Sequence, residues 1–329
     1  MIKRGFGPIF HFISSFSIHG SVKGRILIIS GPTSAGKSEI AVESAKRLDG
    51  EIVSADSMQV YRGMDIGTGK LSKDEMQGVR HHLIDVMDPR EDFNVSKFRG
   101  MAIAAIDDIL SRGGLPIVVG GTGFYIKSLL YTKDEGDPGK DPEFKEQLRE
   151  RADKEGLSVL YEELMKVDER QCARINRNDR SRIIRSLEYN HATGLRYSDY
   201  CDSVTSEEPR YDASFFVLEC DRSILYKRMD ERIDRMMADG LVDEVRGLVA
   251  DGVGRDHTSM NGIGYKEILS YLSGEITIDE AVRQIKSNTH HYAVRQSTWF
   301  RNQKGSVIID CSDREKAIES IISSLPSCV

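Results

Sequence analysis

The residues best suited to chemistry come in one short run, Gly31-Pro32-Thr33-Ser34-Ala35-Gly36-Lys37-Ser38, which has the form G-x-x-x-x-G-K-S. Its glycines permit backbone angles that turn several N–H groups inward. Those groups, with the N-terminus of a following helix, bind phosphate oxygens. The Lys37 ammonium adds positive charge, and the Ser38 hydroxyl is a ligand for Mg²⁺. The pattern specifies a phosphate chain, not what the phosphates are attached to. A nucleotide such as ATP is the ordinary expectation for such a loop, but the companion motifs are missing. There is no guanine-reading N-K-x-D. The apolar run LPIVV ends in Gly120-Gly121-Thr122 instead of a magnesium-binding acid. Thr122 offers a hydroxyl donor there. A second run, EIVSAD, does end in an acid, Asp56. Magnesium ligation and general-base work both suit it.

These residues need a scaffold that brings loop ends together. RILIIS is a short β-branched run, and KSEIAVESAKRL after the glycine loop has apolar residues at helical spacing. EIVSADS predicts a second strand, HHLIDVMD a third, and LPIVVGGTGFYIKSLLY a strand, glycine turn and helix. VSKFRGMAIAAIDDILSRGG predicts a helix stopped by Gly113 or Gly114. Alternating strands and helices make a parallel sheet whose strand ends line a ligand crevice. The texture then changes: 132–212 opens with a turn-rich linker and continues as helix without a clear strand. ASFFVLECD, at 213–221, returns to strand, helical segments follow at 222–251 and 278–303, and GSVIIDCS precedes a terminal helix. The expected fold is α/β, a P-loop NTPase-like parallel sheet core at 25–131 and 213–329, with a helical insertion at 132–212.

Composition narrows the classes further. A chain of 329 residues with 39% hydrophobic and 30% charged residues builds a core and gives no sign of bulk disorder. The net charge of −6 argues against coating nucleic acid by total charge, while leaving room for a local basic patch. Five scattered cysteines without C-x-x-C spacing predict reduced thiols in a reducing compartment, and no apolar run is long enough for a membrane span. The first 24 residues are acid-free and carry Lys3, Arg4 and Lys23. An organelle-targeting segment and a disordered N-terminal extension both suit them.

Taken in order, GPTSAGKS (31–38), DSMQVYRGMDIGTGK (56–70), HHLIDVMDP (81–89), GGTGFY (120–125), NDRSRIIRSLE (178–188), NGIGYKE (261–267) and RQSTWFRNQ (295–303) resemble one family, the tRNA dimethylallyltransferases, also called tRNA isopentenyltransferases. The resemblance implies transfer of a dimethylallyl group from dimethylallyl diphosphate to the exocyclic amine of the adenosine just 3′ of the anticodon. It makes the glycine loop a grip on the leaving diphosphate, aided by Mg²⁺ at Ser38, and places Thr122 and Arg232 on the far side of that group. Arg235, one turn along, is the alternative to Arg232. Asp56 matches the family's base. Asp56, Ser57, Met58 and Gln59 match the segment that contacts the target base, with Thr122 beside them. In the insertion, Ser181, Arg182, Ile183, Ile184 and Arg185 match a tRNA-contacting segment, and Phe144 falls where relatives touch tRNA. Ser181 departs from the Gln of many bacterial members and loses a bidentate reader. Many eukaryotic relatives append a zinc finger; the absence of one from this sequence fits the bacterial type, working as a cytoplasmic monomer.

Two stretches suit RNA on their own composition. Residues 170–185 hold six Arg and one acid, which suits phosphate contact or a solvated face paired with Glu163 or Glu188. Residues 281–309 hold no acid and interleave Arg283, Lys286, Arg295, Arg301 and Lys304 with His290, His291, Tyr292, Trp299 and Phe300. The aromatics there are either base-stacking groups or core. The pairs His81-His82 and His290-His291 lack further metal-ligand spacing. Rival readings are a small-molecule kinase with an arginine lid, a prenyltransferase acting on free adenylate, and a non-catalytic RNA-binding module.

Overall fold

The structure is a computed structural model that describes residues 23–131, 139–203 and 209–325. The expected N-terminal extension lies almost wholly outside the described residues, as do the start of the linker and Cys328.

Six parallel strands form one sheet in the order β3-β2-β4-β1-β5-β6. They are β1 (Arg25–Ser30), β2 (Gly50–Ser54), β3 (His81–His82), β4 (Leu115–Gly120), β5 (Asp212–Glu219) and β6 (Ser306–Asp310). Central β1 is flanked on both sides, so Ile26, Leu27, Ile28 and Ile29 are all fully buried. That explains a continuous apolar run instead of an alternating one. Each such side chain contributes roughly 1.5–3 kcal/mol of burial. The sheet separates two apolar layers, one built on Ile26 and Ile28, the other on Leu27 and Ile29.

Helices α1 (Lys37–Leu48), α2 (Val95–Ser111) and α3 (Gly123–Leu130) follow strands or loops as their apolar spacing predicts. Among the described residues five helices then intervene before β5: α4 (Pro142–Lys154), α5 (Leu157–Val167), α6 (Glu169–Cys172), α7 (Arg180–Thr193) and α8 (Tyr197–Ser203). They have an apolar cluster of their own, centred on Leu148, Leu160, Leu164, Ile183 and Ile184. Buried Asp168 caps α6 and accepts from the Ser198 N–H (2.8 Å) and hydroxyl (2.6 Å), tying α8 to the group.

After β5 come α9 (Arg222–Ala238), α10 (Leu241–Ala250), α11 (Tyr265–Leu272), α12 (Ile278–Arg301) and, after β6, α13 (Arg314–Ser323). The helical segment expected at 222–251 is broken at Gly240, whose φ of 103° ends one helix and starts the next. The third strand is also shorter than expected. His81 and His82 pair with β2, the left-handed backbone angles of Leu83 and Asp85 interrupt the run, and Met87 makes a separate bridge to Tyr61.

Candidate functional site

The glycine loop joins β1 to α1 at the C-terminal edge of the sheet. Gly31 has φ 143°, and a Cβ there would lie 2.6 Å from the Leu218 carbonyl oxygen of β5, so the loop is pressed onto the neighbouring strand. Gly36, at φ 80°, is the N-cap of α1. Together they aim the helix N-terminus into a cleft of about 1560 Å³ lined by Ser34, Gly36, Lys37, Ser38, Asp56 and Arg232, among others. Lys37 Nζ donates to the Pro32 carbonyl (2.7 Å). Burial lowers its pKa to about 8, opposed by the Asp56 carboxylate and reinforced by the Arg232 cation. Two donors of the loop are already taken: the Thr33 N–H is held by Gln296 Oε1 at 2.9 Å, and the Ala35 N–H donates to the Pro32 carbonyl at 3.3 Å. This narrows the backbone donors open to a phosphate to Ser34, Gly36, Lys37 and Ser38.

Asp56 stands two residues beyond β2, and the sheet explains its position. The Ala55 N–H donates to the Val119 carbonyl (2.7 Å), and a Cβ on Gly120 would lie 2.2 Å from the Ala55 carbonyl oxygen. Only glycine lets the two strand ends close so tightly, and this brings Asp56 beside Thr122, the N-cap of α3. Asp56 Oδ1 accepts from the Met58 N–H (2.8 Å) and the Gln59 N–H (3.2 Å). The carboxylate is thus a turn cap through one oxygen, and among the described residues Oδ2 makes no hydrogen bond. Ser57, Met58 and Gln59 line the cleft with it. Gln59 also accepts from the Ser54 hydroxyl (3.4 Å), so that side chain is partly committed to holding its own loop.

Of the two candidate arginines on α9, Arg232 is the one that reaches the loop. Its guanidinium donates to Thr33 Oγ1 (3.4 Å) and to the Thr68 carbonyl (3.1 Å), whereas Arg235 lies at the cleft's edge. Desolvation lowers the Arg232 pKa, opposed by Asp56. Residues 65–69 press on it: Gly69 has φ 58°, and a Cβ there would meet the guanidinium at 2.0 Å. Two side chains that sequence reasoning passed over set this segment. Glu244 accepts from the N–H groups of Asp65 (2.9 Å), Ile66 (2.7 Å) and Gly67 (3.1 Å) and from the Tyr265 hydroxyl (2.6 Å). Lys70, nearly buried, donates to the Tyr61 carbonyl, Asp65 and Asp85. Lys70 lies inside the DIGTGK block, so the block was visible but the tie was not.

The proposed RNA stretches divide. Ser181 and Arg182 stand at the start of α7, with Asp179 capping the helix and the Arg182 side chain largely exposed. Ile183 and Ile184 are buried in the insertion's own core, so their side chains serve packing. Arg185 donates to the Gly139 carbonyl (2.7 Å) and to buried Glu188 (3.1 Å), and lies over the rings of Tyr189 and Tyr197. Arg170 and Arg174 pair with Asp202, and Arg180 with Asp153. Glu163 pairs with Arg151, outside the stretch. The six-arginine run is therefore largely balanced by acids brought from elsewhere in the insertion. Phe144 stacks on His191 with centroids 3.7 Å apart.

In the acid-free stretch, Phe300 is core and Trp299 packs edge-on against it. Lys286, Arg301 and His290 pair with Asp234, Glu219 and Asp230. Tyr292 and Arg295 line the cleft, the guanidinium 5.7 Å from the ring centroid. Burial and the Asp56 charge push the Tyr292 hydroxyl up to about 12, so it is a donor at neutral pH. His81 and His82 make polar contacts to Val79 and Glu51. Among the described residues no group of three or more His, Cys, Asp or Glu is gathered for a metal, and no helix is long and apolar enough to cross a membrane.

A family model described as IPP transferase matches residues 59–303, and one described as isopentenyl transferase matches 24–91. The chain is 44% identical over 292 residues to a tRNA dimethylallyltransferase of Geobacillus thermodenitrificans, covering 89% of this chain and 92% of that one. It is 47% identical over 279 residues to a tRNA dimethylallyltransferase of Caldanaerobacter subterraneus, covering 84% and 89%. Among solved structures, a tRNA isopentenylpyrophosphate transferase from Bacillus halodurans superposes with a TM-score of 0.69 at 40% identity, covering 91% of this chain and 94% of that one. A eukaryotic dimethylallyltransferase described as acting on tRNA gives 0.76 at 28% identity, covering 89% and 75%. The phosphate loop, the acid at the end of β2, the glycine turn after β4 and this likeness along nearly the whole chain lead to one conclusion: the protein belongs to the tRNA dimethylallyltransferase family, on a P-loop NTPase-like α/β fold.

Proposed function

We propose that this enzyme transfers a dimethylallyl group from dimethylallyl diphosphate to the N6 amine of the adenosine 3′-adjacent to the anticodon of tRNA. The observation that carries the reading is the placement of Asp56 in one cleft with Lys37 and Arg232, a carboxylate whose charge acts on both cations. A phosphate chain binds at the cations; a proton acceptor waits beside them. In the reaction the bond between the prenyl C1 and the diphosphate oxygen breaks, and a bond from C1 to N6 forms. The N6 proton passes to Asp56 Oδ2. The amine is a poor base and loses its proton only as the new bond forms, so Asp56 chiefly orients it. Charge that builds on the leaving oxygens is met by the backbone N–H groups of the loop, Lys37, Arg232 and the Thr122 hydroxyl. Fixed donors of this kind are worth about 10²–10³ in rate each. The acceptor adenine has to leave its stack to reach Asp56.

Mg²⁺ fits the residues present. Ser38 lines a small cavity of about 50 Å³ with Lys37, and a single protein hydroxyl is the sparse set this ion uses at such a loop when substrate phosphates and water complete its shell. Bound there, it would neutralise charge on the diphosphate. Ser181, Arg182 and Phe144 remain proposed tRNA contacts, and the anticodon loop is the partner. We further propose that the enzyme acts as a monomer in the cytoplasm. The isopentenyl transferase model that matches 24–91 names no acceptor, and the second reading is a prenyltransferase acting on free adenylate. Incubation with labelled dimethylallyl diphosphate, Mg²⁺ and either bulk tRNA or AMP separates the two. Label is expected in tRNA; label in AMP with none in tRNA overturns the reading.

A further inference from the structure

We propose that Gln296 is a positioning residue that holds the phosphate loop and the Gly120-Gly121-Thr122 turn at a fixed spacing. The inference rests on the reading of the loop as the diphosphate grip. Gln296 lies on α12 and is only 6% exposed. Its Oε1 accepts from the Thr33 N–H at 2.9 Å, and its Nε2 donates to the Gly121 carbonyl at 2.9 Å. The two turns end β1 and β4, which are neighbouring strands. One amide spans both turns, and glutamine is among the few side chains that offer an acceptor and a donor at one end. The fit is close: a Cβ on Gly121 would lie 2.2 Å from Gln296 Nε2, and one on Gly123 would lie 2.5 Å from the Trp299 ring. Trp299 is one turn further along α12. One turn back, Tyr292 lines the same cleft. Two residues one turn apart on one helix thus seat the Gly120-Gly121-Thr122 turn, and Gln296 also grips the loop.

Its removal would leave the Thr33 N–H and the Gly121 carbonyl without partners in a dry place and let the two turns drift. A misplacement of about 1 Å costs roughly 10²-fold in rate. Gln296→Met keeps the volume and removes both hydrogen bonds. Its kcat is expected to fall roughly 10²-fold well below its Tm, with KM for tRNA within about twofold of native. Gln296→Glu gives a signature that a purely structural role would not: ionised, it keeps the Thr33 bond and repels the Gly121 carbonyl; protonated, it donates like the native amide. The ratio of its kcat to the native kcat is expected to rise as pH falls. A native kcat in the Met variant, or a ratio flat with pH, overturns the proposal, and the ratio decides alone should the Met variant not fold. Lys37→Ala, run beside them, separates the two levels. Native transfer in Lys37→Ala refutes the diphosphate grip itself; loss there with native rates in both Gln296 variants refutes only the bridge.

Discussion

Replacing Asp56 by Asn isolates its chemistry from its structural duty. Oδ1 caps the turn by accepting from Met58 and Gln59, and an amide oxygen still accepts there. Ala would also remove the cap, adding about 0.5–2 kcal/mol of destabilisation to any kinetic effect. Asn loses only the carboxylate that receives the N6 proton. A positioned base is worth about 10²–10⁴-fold, so single-turnover transfer from labelled donor to tRNA should slow by that factor, roughly 3–5 kcal/mol of barrier. Filter binding should show tRNA affinity largely unchanged. A second consequence follows from the charges. Asp56 opposes the burial that lowers Lys37 to about 8. Without that charge Lys37 loses its proton at a still lower pH. The protonated form attracts the diphosphate, so kcat/KM for the donor falls as pH rises through about 8 in the native enzyme, and the fall moves to lower pH in Asp56→Asn. Transfer within about threefold of native would refute the base assignment, given the magnitude expected of such a group. An unmoved alkaline limb would refute the coupling.

Lys37→Arg carries a cation that stays charged, so the alkaline fall in donor kcat/KM is expected to vanish even where kcat drops; pH profiles of the two proteins side by side check this. The arginines of α7 should part company. Arg182→Ala, at an exposed position, is expected to make the slope of log K against log salt for tRNA binding shallower by about 0.7–0.9 for each phosphate its guanidinium neutralises, with little change in Tm. Arg185→Ala leaves buried Glu188 without its ion-pair partner and is expected to cost about 3–5 kcal/mol in denaturant unfolding.

The scaffold was legible because its signals are local. RILIIS and LPIVVG are apolar runs bounded by glycine turns, and the glycine loop dictates strand before and helix after. Asp56, Thr122 and Arg232 were reachable through short blocks whose order along the chain matched the family. What stayed hidden depends on residues meeting across long separations. Gln296 meets Thr33 across 263 positions, and Glu244 meets Ile66 across 178. Nothing in their local spacing marks them. The basic run at 170–185 left its two readings open for the same reason: it looks unbalanced only until Asp153, Asp199 and Asp202 fold back onto it. Ile183 and Ile184 sat inside a matching block, yet a helix has two faces, and theirs is the one that packs.

The central claim is that a loop of nucleotide-binding form grips an isoprenoid diphosphate as leaving group. Its most direct test is stoichiometry: diphosphate released against prenyl groups transferred to tRNA, with Mg²⁺ and no ATP present. One diphosphate is expected for each group transferred, and no transfer by Lys37→Ala. A requirement for ATP, or release of orthophosphate in step with turnover, would contradict it.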